Sequence, residues 1–355
     1  FEAMMLSREF MPAGCYFRGA GTKSGMLANC FVLPVEDSIE EIFEAVKWTA
    51  QIHAAGGGCI AAGSQVITSF CGLENFEVLY ERLGGRRSEV RGVNNGWRID
   101  VVDKNIKTLA FDQKTGGLVQ DRVLEVWRYE LSKKRIYTIH GQGGIKLTTS
   151  DWHPFFVYDD EGVVEKRADE IRVGDRLISS NPSIFDQWLF NDYRVVDGIK
   201  VDEQIGWLVG YILGDGSFGR TRTNKRLERG KYVRLRLFDG EKDTLEKAEI
   251  ILSRLTGERL TIQKDSRSKT HVLTCVNQRI VMWLQRLTEI FGPKGKRLHI
   301  PSMMIKSPLS VVLAVLAGLL DADGHVDKSR SRASFSTESG DMAEQIMSLL
   351  SLVGI

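Results

Sequence analysis

The sequence predicts a multi-domain chain: a short, mainly helical leading segment, then an all-β module, then an α+β module. Three observations carry this. Residues 39–55 place Ile39, Ile42, Phe43, Val46 and Ala50 on one helical face. Residues 59–180 alternate short runs rich in β-branched and aromatic residues with glycine-rich turns. Residues 206–216 and 314–324 are two glycine-striped apolar segments, each ending in an aspartate before a glycine, at a fixed offset (323 − 215 = 108).

Composition bounds the chain without revealing that organisation. Net charge is +2 and 43% of the 355 residues are hydrophobic, ordinary for globular protein and enough for two or three domains. No apolar run reaches membrane-spanning length, so no membrane partner is expected. The five cysteines, Cys15, Cys30, Cys59, Cys71 and Cys275, show neither CxxC pairs nor zinc spacing, which points to a reducing cytoplasm. There is no signal peptide, and the first residue is Phe1, so the chain is expected to begin inside a longer protein.

The leading segment, residues 1–58, contains Met11-Pro-Ala-Gly, Arg18-Gly-Ala-Gly-Thr22, Leu27-Ala-Asn-Cys30-Phe-Val-Leu-Pro34, Glu36-Asp-Ser-Ile39 and Ala54-Ala-Gly-Gly-Gly58. Read by itself, Cys30 is a buried strand cysteine. Together these runs resemble the catalytic subunit of ribonucleotide reductases, particularly the adenosylcobalamin-dependent class II enzymes. The resemblance implies that Cys30 is one of two thiols that reduce the ribose and that Asn29 and Gly58 lie near the bound ribonucleotide. The cobalamin site and the remaining catalytic residues are expected beyond this chain, which is therefore not expected to reduce ribonucleotides.

A boundary falls at Gly56-Gly57-Gly58-Cys59. Three glycines in a row usually mark a helix stop or a linker. Here they precede Cys59-Ile-Ala-Ala-Gly63-Ser64-Gln-Val66, which resembles the opening block of inteins, whose first cysteine attacks the carbonyl of the residue before it. Gly58 leaves that carbonyl sterically open, and a thiol is a good nucleophile at neutral pH. Turning an amide into a thioester requires a proton for the departing nitrogen, a task suited to histidine. His153 lies in Ser150-Asp151-Trp152-His153-Pro154, which resembles the second intein block in its usual form Thr-x-x-His-Pro. Ser150 stands at the threonine position with Thr149 one residue earlier, so either hydroxyl is a candidate to orient the scissile peptide. Residues 168–178 resemble a further intein strand and turn.

Between these blocks, strands are expected at 99–102, 108–112, 124–128, 135–140, 145–148 and 155–158. Turn chemistry at 94–96, 114–117, 143–144 and 159–162 separates them. The pattern resembles the compact all-β horseshoe shared by hedgehog and intein domains, called Hint, over 59–180. Residues 181–199, with Trp188, Phe190 and Tyr193, read as a partly ordered connector, and whether these aromatics also grip DNA is open.

In the duplicated segments, Gly206, Gly210 and Gly214 fall four apart on one helical face, as do Ala314, Gly318 and Ala322. Two such faces can pack with close backbones. Gly216 and Gly324 are expected to end the helices in the left-handed conformation. Asp215 and Asp323 then sit at helix C-termini, where the macrodipole disfavours an anion by roughly 0.3–1 kcal/mol each. Pairing the helices adds like-charge repulsion. A divalent cation removes both penalties, and Mg²⁺ held by one or two carboxylates plus phosphate oxygens can activate water for in-line attack on a phosphodiester. The alternative is a duplicated core with incidental aspartates. The segments resemble the LAGLIDADG homing endonucleases, whose name residues 316–324 nearly spell; 208–216 is a looser copy. The resemblance implies αββαββα halves over 200–355, Mg²⁺ on Asp215 and Asp323, and double-stranded DNA as substrate.

The surroundings favour a polyanionic partner. Arg220, Arg222, Lys225, Arg226, Arg229, Lys231, Arg234 and Arg236 lie between Ser217 and Leu237 against the single acid Glu228. As a strand, 231–237 would turn Lys231, Arg234 and Arg236 largely to solvent and bury valine and leucine. Phosphate contacts would supply salt-sensitive affinity and the arginines some base readout, although a charge run is commonly only a solvated face. Further strands are expected at 261–264 and 269–275, with amphipathic helices at 242–256 and 277–291. In the basic block Lys294, Lys296 and Arg297, Lys296 is expected to stabilise charge near the scissile phosphate, with Lys294 second. The second half reads as a helix, strands at 325–327 and 333–337, and most of one further helix. An endonuclease lacking its last elements is therefore expected, and complete splicing by this chain alone is not. Two alternatives stay open: a protein whose role follows the reductase segment, and a DNA-binding module without cleavage.

Overall fold

A computed structural model describes residues 60–85, 87–89, 96–112, 117–128, 130, 136–141, 146–151, 153–160, 162–178, 187–220, 233–264, 270–327, 329 and 332–353. Asn29, Cys30, Gly58, Cys59, Arg222, Lys225, Arg226 and Lys231 lie outside the described residues, as does the side chain of Arg220. The chain divides into two compact units, Phe1–Gly58 with Arg91–Val93, and Cys59–Val90 with Asn94–Ile355. The elements below belong to the second.

Its first part is antiparallel throughout. Strands β1 (Gln65–Thr68) and β2 (Gly72–Asn75) form a hairpin, and helix α1 (Phe76–Leu83) follows at once. Asn75 starts α1 by accepting a hydrogen bond from the Val78 N–H at 2.9 Å. Leu79, Tyr80 and Leu83 share its buried face, so this helix is an amphipathic exception to the all-β expectation. Strands β3 (Ser88–Glu89), β4 (Trp97–Asp100), β5 (Lys107–Asp112), β6 (Gly117–Arg122) and β7 (Glu125–Arg128) complete two sheets, ordered β2-β1-β5-β6 and β3-β4-β7. A small core of Cys71, Leu79, Tyr80, Leu83, Ile99, Val101, Ile106 and Val126 lies here. Strands β8 (Ile136–His140) and β9 (Lys146–Ser150) pair, and β10 (Pro154–Asp159) is flanked by β11 (Gly162–Arg167) and β12 (Arg176–Leu177).

From residue 187 onward the connector carries a hairpin and two buried aromatics. Strands β13 (Val195–Val196) and β14 (Ile199–Lys200) form a hairpin through Asp197 (φ 53°) and Gly198 (φ 78°), the paired left-handed conformation that an Asp-Gly turn favours. Trp188 is 1% exposed and its indole N–H donates to the Ser307 carbonyl at 2.9 Å. Phe190 is buried beside it. Both aromatics are core residues, which removes them from any surface that could grip DNA.

The α+β part begins with α2 (Glu203–Asp215), started by Asp202, which accepts from the Ile205 N–H at 3.0 Å. Then come β15 (Gly216–Arg220), β16 (Val233–Asp239), α3 (Asp243–Thr256), β17 (Ile262–Lys264), β18 (His271–Cys275) and α4 (Gln278–Thr288), an αββαββα order with one sheet, β15-β16-β18-β17. The second copy follows the short helix α5 (Ser302–Ile305) as α6 (Leu309–Asp323), β19 (Gly324–Asp327), β20 (Arg332–Phe335) and α7 (Gly340–Leu352). Both copies share one large core. Among the described residues no helix is long and apolar enough to cross a membrane.

Helices α2 and α6 run side by side in the same direction. A Cβ placed on Gly210 would lie 2.0 Å from the Val315 carbonyl oxygen, and one on Gly318 2.0 Å from that of Trp207. The small-residue stripe is therefore a steric requirement. The left-handed helix ends expected at Gly216 and Gly324 do not occur: φ is −82° and −85°, and each helix passes straight into an extended strand. Glycine is needed there for a different reason. A Cβ on Gly216 would come within 2.6 Å of Ile212 Cα, and one on Gly324 within 2.3 Å of the Leu320 carbonyl oxygen.

Candidate functional site

Two clusters emerge, one beside the predicted seam and one at the paired helix ends. Ile60, the first described residue after Cys59, bridges Thr149 of β9, and the Ala61 N–H donates to the Thr148 carbonyl at 2.8 Å. Thr149 and Ser150 are buried, at 1% and 0% exposure. Alternation along β9 puts Thr149 on the face it shares with Ile60 and Ser150 on the opposite face. The turn after β9 carries His153, whose N–H donates to the Ser150 carbonyl at 3.2 Å. Its own carbonyl accepts from the Ala168 N–H at 2.9 Å, while the Asp169 N–H donates to the Asp151 carbonyl at 3.2 Å. The His153 ring meets Phe155 edge-on, with centroids 5.2 Å apart. In the turn that follows, Asp175 accepts from the Lys166 ammonium and the Arg172 N–H, both at 2.8 Å, and these bonds hold its carboxyl below the usual range. Residues far apart in sequence thus meet, 60–61 against 148–149 and 151–153 against 168–169.

The second cluster is electrostatic. Asp215 ends α2 and Asp323 ends α6. Burial, then the charge of Asp323, then that of Asp239 raise the Asp215 carboxyl to about 6, with Lys294 opposing. Burial also raises Asp323, again against Lys294. The Lys294 ammonium donates to the carbonyl of Gly214. Burial pushes Lys294 down to about 8, and the two aspartates resist that fall.

Lys296, the lysine expected here, is exposed. Gly295 at φ 138° separates the two lysines and redirects the chain, so Lys294 turns inward and Lys296 outward. The loop holding Lys294 is braced by the Gln285 amide donating to the Ile290 carbonyl at 3.0 Å and by the His299–Glu289 pair at 2.9 Å. A cavity of about 520 Å³ opens beside it, lined by Asp215, Gly216, Ser217, Phe218, Pro293 and Lys294 among others.

The donors suit a hard cation, since two partly buried carboxylates repel one another and offer only oxygen. Among the described residues no group of three or more histidine, cysteine, aspartate or glutamate side chains is placed to hold a metal ion. A cation here would complete its shell with water and phosphate oxygens, the usual habit of Mg²⁺. Beside the pair, β16 buries Leu235 and Leu237 at 0% exposure. Arg236 lies on its other face in register with Ser217 of β15 and Thr274 of β18. Arg234 and Arg236 are half-buried rather than largely solvent-facing, and the Arg236 guanidinium sits 4.7 Å over the Phe238 ring. Asp239, which accepts from the Tyr211 hydroxyl at 2.9 Å, was missed in the sequence because only strand pairing brings it towards Asp215.

Residues 75–336 match the intein splicing domain family, and the chain belongs to that family. A stretch of 58 residues is 57% identical to the vitamin B12-dependent ribonucleoside-diphosphate reductase of Thermoplasma acidophilum, covering 16% of this chain and 8% of that protein's length. The corresponding reductase of Mycobacterium tuberculosis is 41% identical over 58 residues, again 8% of its length. Among solved structures the chain is similar to the TvoVMA intein, with a TM-score of 0.31 and 19% identity over 35% of this chain and 71% of that one. It is also similar to I-DmoI in complex with DNA and Mn, with a TM-score of 0.32 and 15% identity over 44% of this chain and 80% of that one.

Proposed function

We propose that this chain is an intein lodged in a vitamin B12-dependent ribonucleoside-diphosphate reductase and carrying a LAGLIDADG-type homing endonuclease. The observation that carries the endonuclease reading is the glycine-striped helix pair that ends in Asp215 and Asp323, with Lys294 held at the Gly214 carbonyl beside them. The two carboxylates would hold Mg²⁺, which would supply Lewis-acid activation of water and phosphate oxygen, and the partly buried Lys294 ammonium would offset charge on the departing oxygen. Arg234 and Arg236, with Arg220, Arg222, Lys225, Arg226 and Lys231, would follow the DNA backbone. The I-DmoI structures hold DNA with Mn or Ca, which supports a divalent cation and a duplex here.

For splicing, the Cys59 thiolate attacks the Gly58 carbonyl carbon, a C–S bond forms, and the C–N bond to the Cys59 nitrogen breaks. His153 supplies the proton that nitrogen takes, and the thiol proton is released to solvent. Ser150, which stands at the threonine position of the block and lies on the opposite face of β9 from Thr149, is the hydroxyl assigned to orient the peptide. We divide the chain into domains of 1–58, 59–180, 181–199 and 200–355, and the division of compact units between Gly58 and Cys59 supports the first of these boundaries. Cys30 and Asn29, with Gly58, belong to the reductase, whose adenosylcobalamin and ribonucleotide chemistry requires the remainder of that enzyme. Cys71 and Cys275 are free thiols, which supports a cytoplasmic setting.

Cys59→Ala should abolish thiol-induced release of the leading segment, and persistent release would remove Cys59 as nucleophile. Asp323→Asn should abolish Mg²⁺-dependent cleavage of the uninterrupted reductase gene while DNA binding persists. Unchanged cleavage would refute the metal role.

A further inference from the structure

The two acidic helices are not equivalent. At the offset of 108, Trp207 of α2 corresponds to Val315 of α6, Tyr211 to Leu319, and Leu213 to Asp321. The polar members of all three pairs meet on one side of the helix pair. Trp207 is 3% exposed, and its indole N–H donates to Asp321 Oδ2 at 2.6 Å. Lys247 of α3 places its Nζ 3.9 Å from the same oxygen and 4.0 Å above the Trp207 ring. Trp207 stacks on Tyr211 at 5.2 Å, and the Tyr211 hydroxyl donates to Asp239 Oδ2 at 2.9 Å and to the Phe238 carbonyl at 3.0 Å. A continuous line of contacts therefore ties the last turn of α6 to α2 and to the end of β16.

A stripe of glycine and alanine sets how close two helices come but presents few protrusions to fix rotation or axial register. A charge-assisted hydrogen bond from a buried indole does fix them. We propose that Asp321 is a positioning residue: through Trp207 it holds the rotation and register of the last turn of α6 on α2, and so aims Asp323 at Asp215. Asp321 and Asp323 lie about 200° apart around the helix, so clamping one sets the direction of the other. This rests on the reading of Asp215 and Asp323 as metal-holding carboxylates.

The test uses the full chain and Mn²⁺ alone, with affinity measured by electron paramagnetic resonance. Asp321→Leu installs the residue found at the equivalent position of α2, and Asp321→Asn retains an oxygen acceptor for the indole. The Leu variant should weaken Mn²⁺ binding roughly 10- to 100-fold, and the Asn variant should stay within about threefold of the parent. In ¹⁵N spectra the Trp207 indole resonance, assigned by its loss in Trp207→Phe, should move in the Leu variant and stay in the Asn variant. Parent-like Mn²⁺ affinity in the Leu variant overturns the proposal, as does an Asn variant as weak as the Leu variant. Should the Leu variant not fold, Trp207→Phe, which removes the donor, must show the same loss, and parent-like affinity there overturns the proposal. Asp215→Asn separates the two readings: if it binds Mn²⁺ like the parent, the metal site itself is wrong.

Discussion

The ammonium of Lys294 donates to the carbonyl of Gly214, the residue immediately before Asp215. A loop that follows α4 thereby delivers a positive charge to the end of α2, where it acts on two carboxylates from different helices. Lys294→Met should lower Mg²⁺-dependent cleavage by about 10²- to 10³-fold, the cost of losing one preorganised charge donor. Lys296→Met should stay within about twofold, because surface substitutions of this kind are nearly neutral. The lysine is pushed down to about 8, so its charged form is lost as pH rises through that value, and the alkaline limb of the rate profile should fall there.

Asp215 makes stability depend on pH with a definite sign. Its carboxyl moves from 3.8 to about 6 on folding, so between those values the native state binds more protons than the unfolded state, and stability falls as pH rises. Asp215→Asn removes the effect. In metal-free buffer at neutral pH the variant should be more stable on the order of 1 kcal/mol, a figure discounted for partial solvent access. The gain should vanish towards pH ~3.5, below the unfolded pKa. Urea unfolding at both pH values measures this, and a gain that grew on acidification would contradict it.

The helix contact leaves no room for a methyl group at its centre. Gly318→Ala sets a Cβ 2.0 Å from the Trp207 carbonyl oxygen, whereas Gly219→Ala meets only Arg234 Nε at 3.8 Å, an ordinary contact. Overpacking against backbone should cost Gly318→Ala about 3 kcal/mol. Gly219→Ala should change stability by less than about 0.5 kcal/mol. The urea midpoint should shift for the first variant and not the second, with unchanged slope.

The seam hydroxyl can be assigned by a paired substitution. Ser150 and Thr149 point to opposite faces of β9, and among the described residues Thr149 Oγ1 has no hydrogen-bond partner. Thr149→Val, which keeps shape and removes that oxygen, should leave release of the leading segment within about twofold and stability unharmed. Ser150→Ala should slow release about 10-fold or more, the scale of a lost orienting contact. Equal slowing by both substitutions would mean that strand direction does not choose between them.

Much of this fold was legible in the sequence because its signals are periodic. The strands at 107–112, 136–140 and 154–159 lie within two residues of their expected places, since alternation and turn chemistry are local properties. Helix α1 was not foreseen, because its eight residues are too few for a clear helical period amid strands. Trp188 and Phe190 read as connector residues, and the burial of Trp188 rests on a partner far along the chain, the Ser307 carbonyl that accepts its indole N–H, with Phe190 packed against that ring.

By itself the sequence determined that two small-residue helices would pair and bring Asp215 and Asp323 to one end, because a four-residue spacing of glycine and alanine leaves only one close-packing face. It likewise determined which cysteine follows the glycine run. Tertiary structure decided that Lys294 rather than Lys296 turns inward to the Gly214 carbonyl beside the paired helix ends, and that Gly216 and Gly324 answer to steric crowding rather than to a left-handed turn. It also decided that Asp321 meets Trp207. Each of those outcomes depends on the path of the backbone between distant residues, which spacing along the chain does not encode.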